Sequence, residues 1–194
     1  ISLIYLFVKL SKMNKFCDCW VPDIIPADLS NYRKYEAILY NIFYNDFIIY
    51  HPIFNGFPVQ IRKYPIENGK EEAFFHITCQ DYMKNHDRRP DFRRCERIKW
   101  PRKFIENSGC TPAPYENCTG MKIWTSPYKN KERIHLFLEE KRYIVILERR
   151  NSYYLLITAP AYDEKITKRL YKASKNARLI VGATFLGTPS THGR

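Results

Sequence analysis

Apolar side chains between positions 30 and 50 recur at helical spacing. Tyr35, Ile38, Leu39, Ile42 and Phe43 fall three and four residues apart and stack on one face. Ser30 supplies an N-cap, and His51-Pro52 marks the stop, because a residue ahead of proline is pushed out of the helical region. The period then changes. GFPVQI at 56–61 predicts a short strand, and EEAFFHIT at 71–78 a second one, carried by the bulk of Phe74, Phe75 and Ile77. A helical turn is expected from Asp91, its cap, to Arg97, with Pro101 limiting it. Residues 108–120 are a loop by their Pro, Gly and Thr content.

Four strand candidates follow: MKIWT at 121–125, RIHLFLEE at 133–140, RYIVILER at 142–149 and SYYLLITA at 152–159. Alternation is plain in the second, with Ile134, Leu136 and Leu138 on one face and His135 and Phe137 on the other. The short connections between these strands force antiparallel neighbours, since parallel strands need a long crossover. EKITKRLYKASK at 164–175 is a basic amphipathic helix. The expected architecture is α+β, with an N-terminal helix or helices packed on a four-stranded, mainly antiparallel sheet. One domain is expected over 13–177. Residues 1–12 form an upstream extension before Met13, which is taken as the start, and 178–194 a weakly ordered tail.

Charge adds a partner to this picture. The 194-residue chain carries a formal net charge of +12. Such an excess favours a polyanion, with nucleic acid ahead of an anionic membrane surface. The apolar opening ISLIYLFVKL is too short to span a bilayer, so a cytoplasmic protein without a membrane partner is expected. The six cysteines contain no C-x-x-C pair, and Cys17-Asp-Cys19 is too tight for an ordinary zinc knuckle. Reduced thiols are expected; Cys95, between cations, is either reactive or simply packed.

The charge is densest at 88–107, RRPDFRRCERIKWPRKFIEN. Eight cations stand there against Asp91, Glu96 and Glu106, a local excess of five. Arginine forks pair bidentately with phosphate, and aromatic faces stack on bases. Arg93, Lys99, Trp100, Arg102 and Lys103 are therefore candidate nucleic-acid contacts. Glu96 either orients an arginine or fixes the local fold. His76, within FFHIT, is either a hydrogen-bonded core residue or an acid–base group facing a cleft. Thr158, at a strand end, either holds a phosphate or terminates the strand. No H-E-x-x-H, P-loop or G-x-S-x-G pattern occurs, so neither a metal nor a cofactor is expected.

GKEEAFFHIT, DFRRCERIKWPRKFIEN, RYIVILERR and YYLLITA, in that order, resemble a phage-type branch of the barnase–EndoU–colicin–RelE-like (BECR-fold) nuclease group. The resemblance covers residues 31–171 and is most specific around RRCERIKWPR. It implies a compact α+β ribonuclease-like domain, of the kind found in toxins and phage-borne effectors. It also implies metal-independent cleavage of RNA, transfer or messenger, through the substrate's own 2′-hydroxyl, giving a 2′,3′-cyclic phosphate. Carried onto this chain, it makes His76 the acid or base and gives Arg94 and Arg97 to the phosphate. Glu96 would assist, Thr158 would hold the phosphate or ribose, and Arg133 would be a further contact. A protein inhibitor or antitoxin is an implied partner. Pro160, Phe75 and the long loop 108–120 depart from the pattern. Two other readings stand beside this one: a non-catalytic nucleic-acid-binding module, and a protein whose basic face docks an acidic partner.

Overall fold

The computed structural model describes residues 20–80, 89–110 and 120–176. The expected extension at 1–12, Cys17-Asp-Cys19 and the expected tail at 178–194 lie outside the described residues. The helix at the start is present as α1 (Tyr32–Tyr44), which continues into one π turn (Asn45–Ile49). Tyr35, Leu39, Phe43 and Phe47 reach the core, whereas Ile38 is 45% exposed. The cap is Asn31 rather than Ser30. The Asn31 side chain accepts a hydrogen bond from the Lys34 amide at 3.1 Å, while Ser30 donates to Asp28 Oδ1.

Two Asn-Gly hairpins follow. Strands β1 (Ile53–Phe54) and β2 (Phe57–Gln60) are joined by Asn55-Gly56, with φ of 46° and 80°. Strands β3 (Ile66–Glu67) and β4 (Lys70–Glu71) are joined by Asn68-Gly69, with φ of 50° and 73°. Both turns place two successive residues in the left-handed region, which suits the twist of the flanking strands and which Asn and Gly tolerate best.

The strand expected at 71–78 is instead the helix α2 (Glu72–Thr78). Ala73, Phe74 and Ile77 sit one and four positions apart and are all buried, which a helix achieves and an alternating strand cannot. Tertiary burial has overridden the strand preference of two adjacent phenylalanines. A short pairing of β5 (Cys79–Gln80) with β6 (Arg89–Pro90) then leads to α3 (Phe92–Cys95), capped by Asp91 as expected. Pro101 does not stop this segment. It sits in the first turn of a further helix, α4 (Trp100–Glu106), where its missing amide hydrogen costs nothing.

Strands β7 (Lys122–Tyr128), β8 (Lys131–Leu138), β9 (Tyr143–Arg149) and β10 (Tyr154–Thr158) pair antiparallel in sequence order. The sheet does not end there. Its order is β1-β2-β10-β9-β8-β7, six strands rather than four, and β2 runs parallel to β10. The sequence between β2 and β10 provides the long connection that a parallel pair requires. The β2–β10 pairing spans only Tyr154↔Val59 and Leu155↔Gln60, and a bulge follows on the β9 side between Leu156 and Thr158. Helix α2 packs beside the rest of β10.

One face of the sheet carries the main core. Ile134, Leu136, Leu138, Val145, Leu147 and Leu156 meet the buried side chains of α1, α2 and α4. Each fully buried Leu, Ile or Phe there contributes roughly 1.5–3 kcal/mol. On the other face Trp124, Phe137 and Ile144 form a smaller cluster, partly covered by Leu170 of α5 (Glu164–Asn176). The fold is thus α+β, with helices packed against a mixed sheet.

Candidate nucleic-acid interface

The arginine-rich segment mostly fastens α3 and α4 to the rest of the fold. Arg94 Nε lies 3.3 Å from Asp91 Oδ2. Its Nη1 donates to the His76 carbonyl at 2.9 Å and to Thr158 Oγ1 at 3.5 Å, and the Thr158 hydroxyl donates to the same carbonyl at 3.4 Å. Arg94 and Thr158 therefore do meet His76, but at its backbone. Together they satisfy a carbonyl in the last turn of α2, where intrahelical partners run out. Arg97 donates to the Arg93 carbonyl at 2.9 Å, lies 3.5 Å from Glu96 Oε2 and covers the Trp100 ring at 5.1 Å.

Trp100 is 5% exposed and Phe104 fully buried. Their rings stack on one another and meet Tyr143 edge-on, and Trp100 Nε1 donates to the Pro22 carbonyl. Trp100 is thus placed as a core residue and has no face for a base. Arg102 is held by Glu106 at 2.6 Å, by Asp46 at 3.6 Å and by the Tyr50 carbonyl at 3.0 Å; Lys103 pairs with Glu106 at 2.8 Å. Arg93 and Lys99 are exposed. The local excess of charge counted along the sequence is in large part already engaged inside the fold.

The imidazole of His76 faces elsewhere. Its Nε2 lies 3.1 Å from Oε1 of Glu72, one helical turn earlier, and an ionised carboxylate can only accept, so the ring donates. The Glu72 side chain is 8% exposed and also meets Arg62 Nη1 at 3.3 Å. Helical i,i+4 spacing makes this pair, and the strand expected there would not have. The His76 side chain is 24% exposed and lines a cavity of about 330 Å³.

Across that cavity stand residues of the sheet. Tyr128 ends β7, Lys129 comes from the β7–β8 turn, Lys131 and Arg133 from β8, Glu148 from β9, and Arg62 from the segment after β2. Lys131 and Arg133, two apart in a strand, share a face, and Arg133 is the cross-strand partner of Glu148. The Glu148 side chain is 4% exposed. Three cations compensate it: Lys131 Nζ at 3.2 Å, Arg133 Nε at 3.9 Å and Arg150 Nη2 at 2.5 Å. Such compensation is what makes a buried carboxylate affordable. The Arg133 guanidinium also lies 3.6 Å from the Tyr128 ring centroid. Four cations and one carboxylate line the cavity, so its field attracts anions.

Of the residues singled out from the sequence, His76 and Arg133 line this cleft, Arg94 and Thr158 support His76 from behind, and Glu96, Arg97, Trp100, Arg102 and Lys103 do not line it. Glu72, Arg62, Tyr128, Lys131 and Glu148 escaped the sequence reading. The alternating charges Lys131-x-Arg133 and Glu148-x-Arg150 were the available signal.

Two further groups, His135 and Cys95, are structural. His135 stacks on Trp124 with centroids 4.8 Å apart, and its Nε2 lies 2.8 Å from Ser126 Oγ. Burial, with Arg133 nearby, pulls its pKa down to about 4. Cys95 is fully buried, and its thiol meets the Thr78 carbonyl. Burial first, then the neighbouring Cys79 and Asp91, push its pKa up to about 12, which suits a packed thiol rather than a nucleophile.

Among the described residues no group of three or more His, Cys, Asp or Glu is arranged to hold a metal ion, and no helix is long and apolar enough to cross a membrane. The chain matches no protein-family model, no curated protein and no solved structure.

Proposed function

We propose that the chain is a metal-independent endoribonuclease of the toxin or phage-effector kind and that its site is the cleft between α2 and the β7–β8 hairpin. One observation carries the reading: an imidazole held by a buried carboxylate shares a single cleft with Arg62, Lys129, Lys131 and Arg133. In this mechanism the substrate 2′-oxygen attacks the adjacent phosphorus and the P–O5′ bond breaks. The 2′-hydroxyl loses a proton and the 5′-oxygen gains one. The products are a 2′,3′-cyclic phosphate and a 5′-hydroxyl. His76 performs one proton transfer, and Glu72 orients its ring. Lys131, Arg133 and Arg62 bear on the charge that accumulates on the phosphoryl oxygens. Glu148 holds the β8 cations in place. Arg94 and Thr158 are positioning residues, because they fix the backbone from which His76 projects.

A non-catalytic RNA-binding module is the second reading. It is favoured by the shared engagement of Lys131, Arg133 and Arg150 with Glu148, which leaves less charge for a transition state. Incubation of purified protein with RNA in EDTA separates the two. The nuclease reading expects fragments with 2′,3′-cyclic phosphate ends, and their loss in His76→Ala. Tight binding to every RNA tested without a single cut would select the module.

A further inference from the structure

A second cavity opens beside the cleft, where β8 begins and β9 ends. Its volume is about 560 Å³, and it is lined by Asn130, Lys131, Glu132, Arg149, Arg150 and Asn151. Lys131 lines both cavities. Three cations stand in the second one against Glu132, which lies 3.8 Å from Arg149. Strand alternation explains how charge continues around the end of the sheet. Lys131 and Arg133 leave β8 on the side of Glu148, whereas Arg149 leaves β9 on the opposite side. The Arg149 side chain is 59% exposed, and Asn130 and Asn151 are exposed loop residues with amide donors.

We propose that this second cavity is a phosphate subsite for the nucleotide next to the one in the His76 cleft, so that the ligand is a single-stranded polynucleotide bound across both. The inference rests on the nucleic-acid reading of the cleft but not on cleavage. Lys131 sits between the two subsites and serves both. Arg149 supplies a planar fork for the neighbouring phosphate, and the two asparagines supply neutral donors beside it. A single strand can turn from one side of the sheet end to the other. A duplex, with its persistence length of about 150 bp, bends there only at a cost.

The test uses the full chain and two labelled oligodeoxynucleotides, a dinucleotide and a hexanucleotide. Neither has a 2′-hydroxyl, so neither can be cut by the proposed route. Fluorescence anisotropy over a salt series is the measurement. The hexanucleotide is expected to bind more tightly than the dinucleotide. Arg149→Glu is expected to weaken the hexanucleotide about fivefold and to reduce its salt slope by about 0.7, one phosphate contact on a single strand. The dinucleotide should be unaffected. Arg149→Ala gives the same direction with a smaller loss, and matched thermal melts exclude unfolding. Equal affinity for the two lengths, or an unchanged hexanucleotide affinity and slope in Arg149→Glu, would overturn the subsite. So would binding of polyglutamate in preference to the hexanucleotide. Absence of RNA cleavage with the length and Arg149 effects intact removes the ribonuclease reading and leaves the subsite standing.

Discussion

Lowering the pH should destabilise the protein through His135 in a way that can be isolated. The native imidazole is packed on Trp124, 2.8 Å from Ser126 Oγ, and accepts a proton only near pH 4 instead of the ordinary 6.5. Between those values the unfolded chain holds a proton that the native state does not. Stability therefore falls as pH drops through this window and levels off, for this group, below about 4. At about 1.36 kcal/mol per pKa unit the ceiling is about 3 kcal/mol. Partial exposure of the ring reduces it to about 2 kcal/mol. The comparison is urea denaturation of native protein and of His135→Gln, followed by tryptophan fluorescence at about pH 7 and about pH 4.5. The variant loses the stack and is less stable near neutrality. The gap between the two proteins should narrow by about 1.5 kcal/mol at the lower pH, because only the native chain has this proton to exclude. Carboxylate titration and general charge repulsion act on both proteins and cancel. Stability curves that run parallel across the window would refute the reasoning.

Phe104→Ala should cost about 3–5 kcal/mol, since the ring is fully buried between Trp100, Trp20 and Tyr143, and calorimetry or urea titration measures it. Cys95 should resist thiol reagents in native protein and react only on unfolding; fast native labelling at Cys95, mapped by mass spectrometry, would contradict its placement. Glu72→Gln keeps the shape but removes the charge beside His76, and should lower kcat on RNA about tenfold or more with little change in KM.

The parts of the fold that were legible are those with a long, regular period. Helix α1, helix α5 and the four consecutive strands β7 to β10 each repeat their apolar positions often enough to identify the element. The failures are short. Seven residues of α2 contain Phe74, Phe75 and Ile77, whose bulk suits a strand as well as a helix, and only packing beside β10 decides between them. The pairing of β2 with β10 joins residues nearly a hundred positions apart and leaves no local trace. The Asn-Gly pairs at 55–56 and 68–69 are a local hairpin signal that went unread, and their left-handed backbone is what the structure shows. Of the residues that line the cleft, only His76 and Arg133 stood out in the sequence. Counting cations along 88–107 found the densest charge but not its partners, because Asp46, the Tyr50 carbonyl and the His76 carbonyl are remote in sequence. The cations of the cleft come instead from strand positions whose grouping depends on register.

The central claim is that anion chemistry belongs to the His76 cleft and not to the arginine-rich segment. Cleavage of one RNA by two double variants tests it most directly: Lys131→Ala with Arg133→Ala in the cleft, and Arg93→Ala with Lys99→Ala on the exposed segment. The cleft pair should lose about a hundredfold or more in kcat/KM while the segment pair stays within about twofold of native. The reverse pattern, with both proteins folded, would contradict the account.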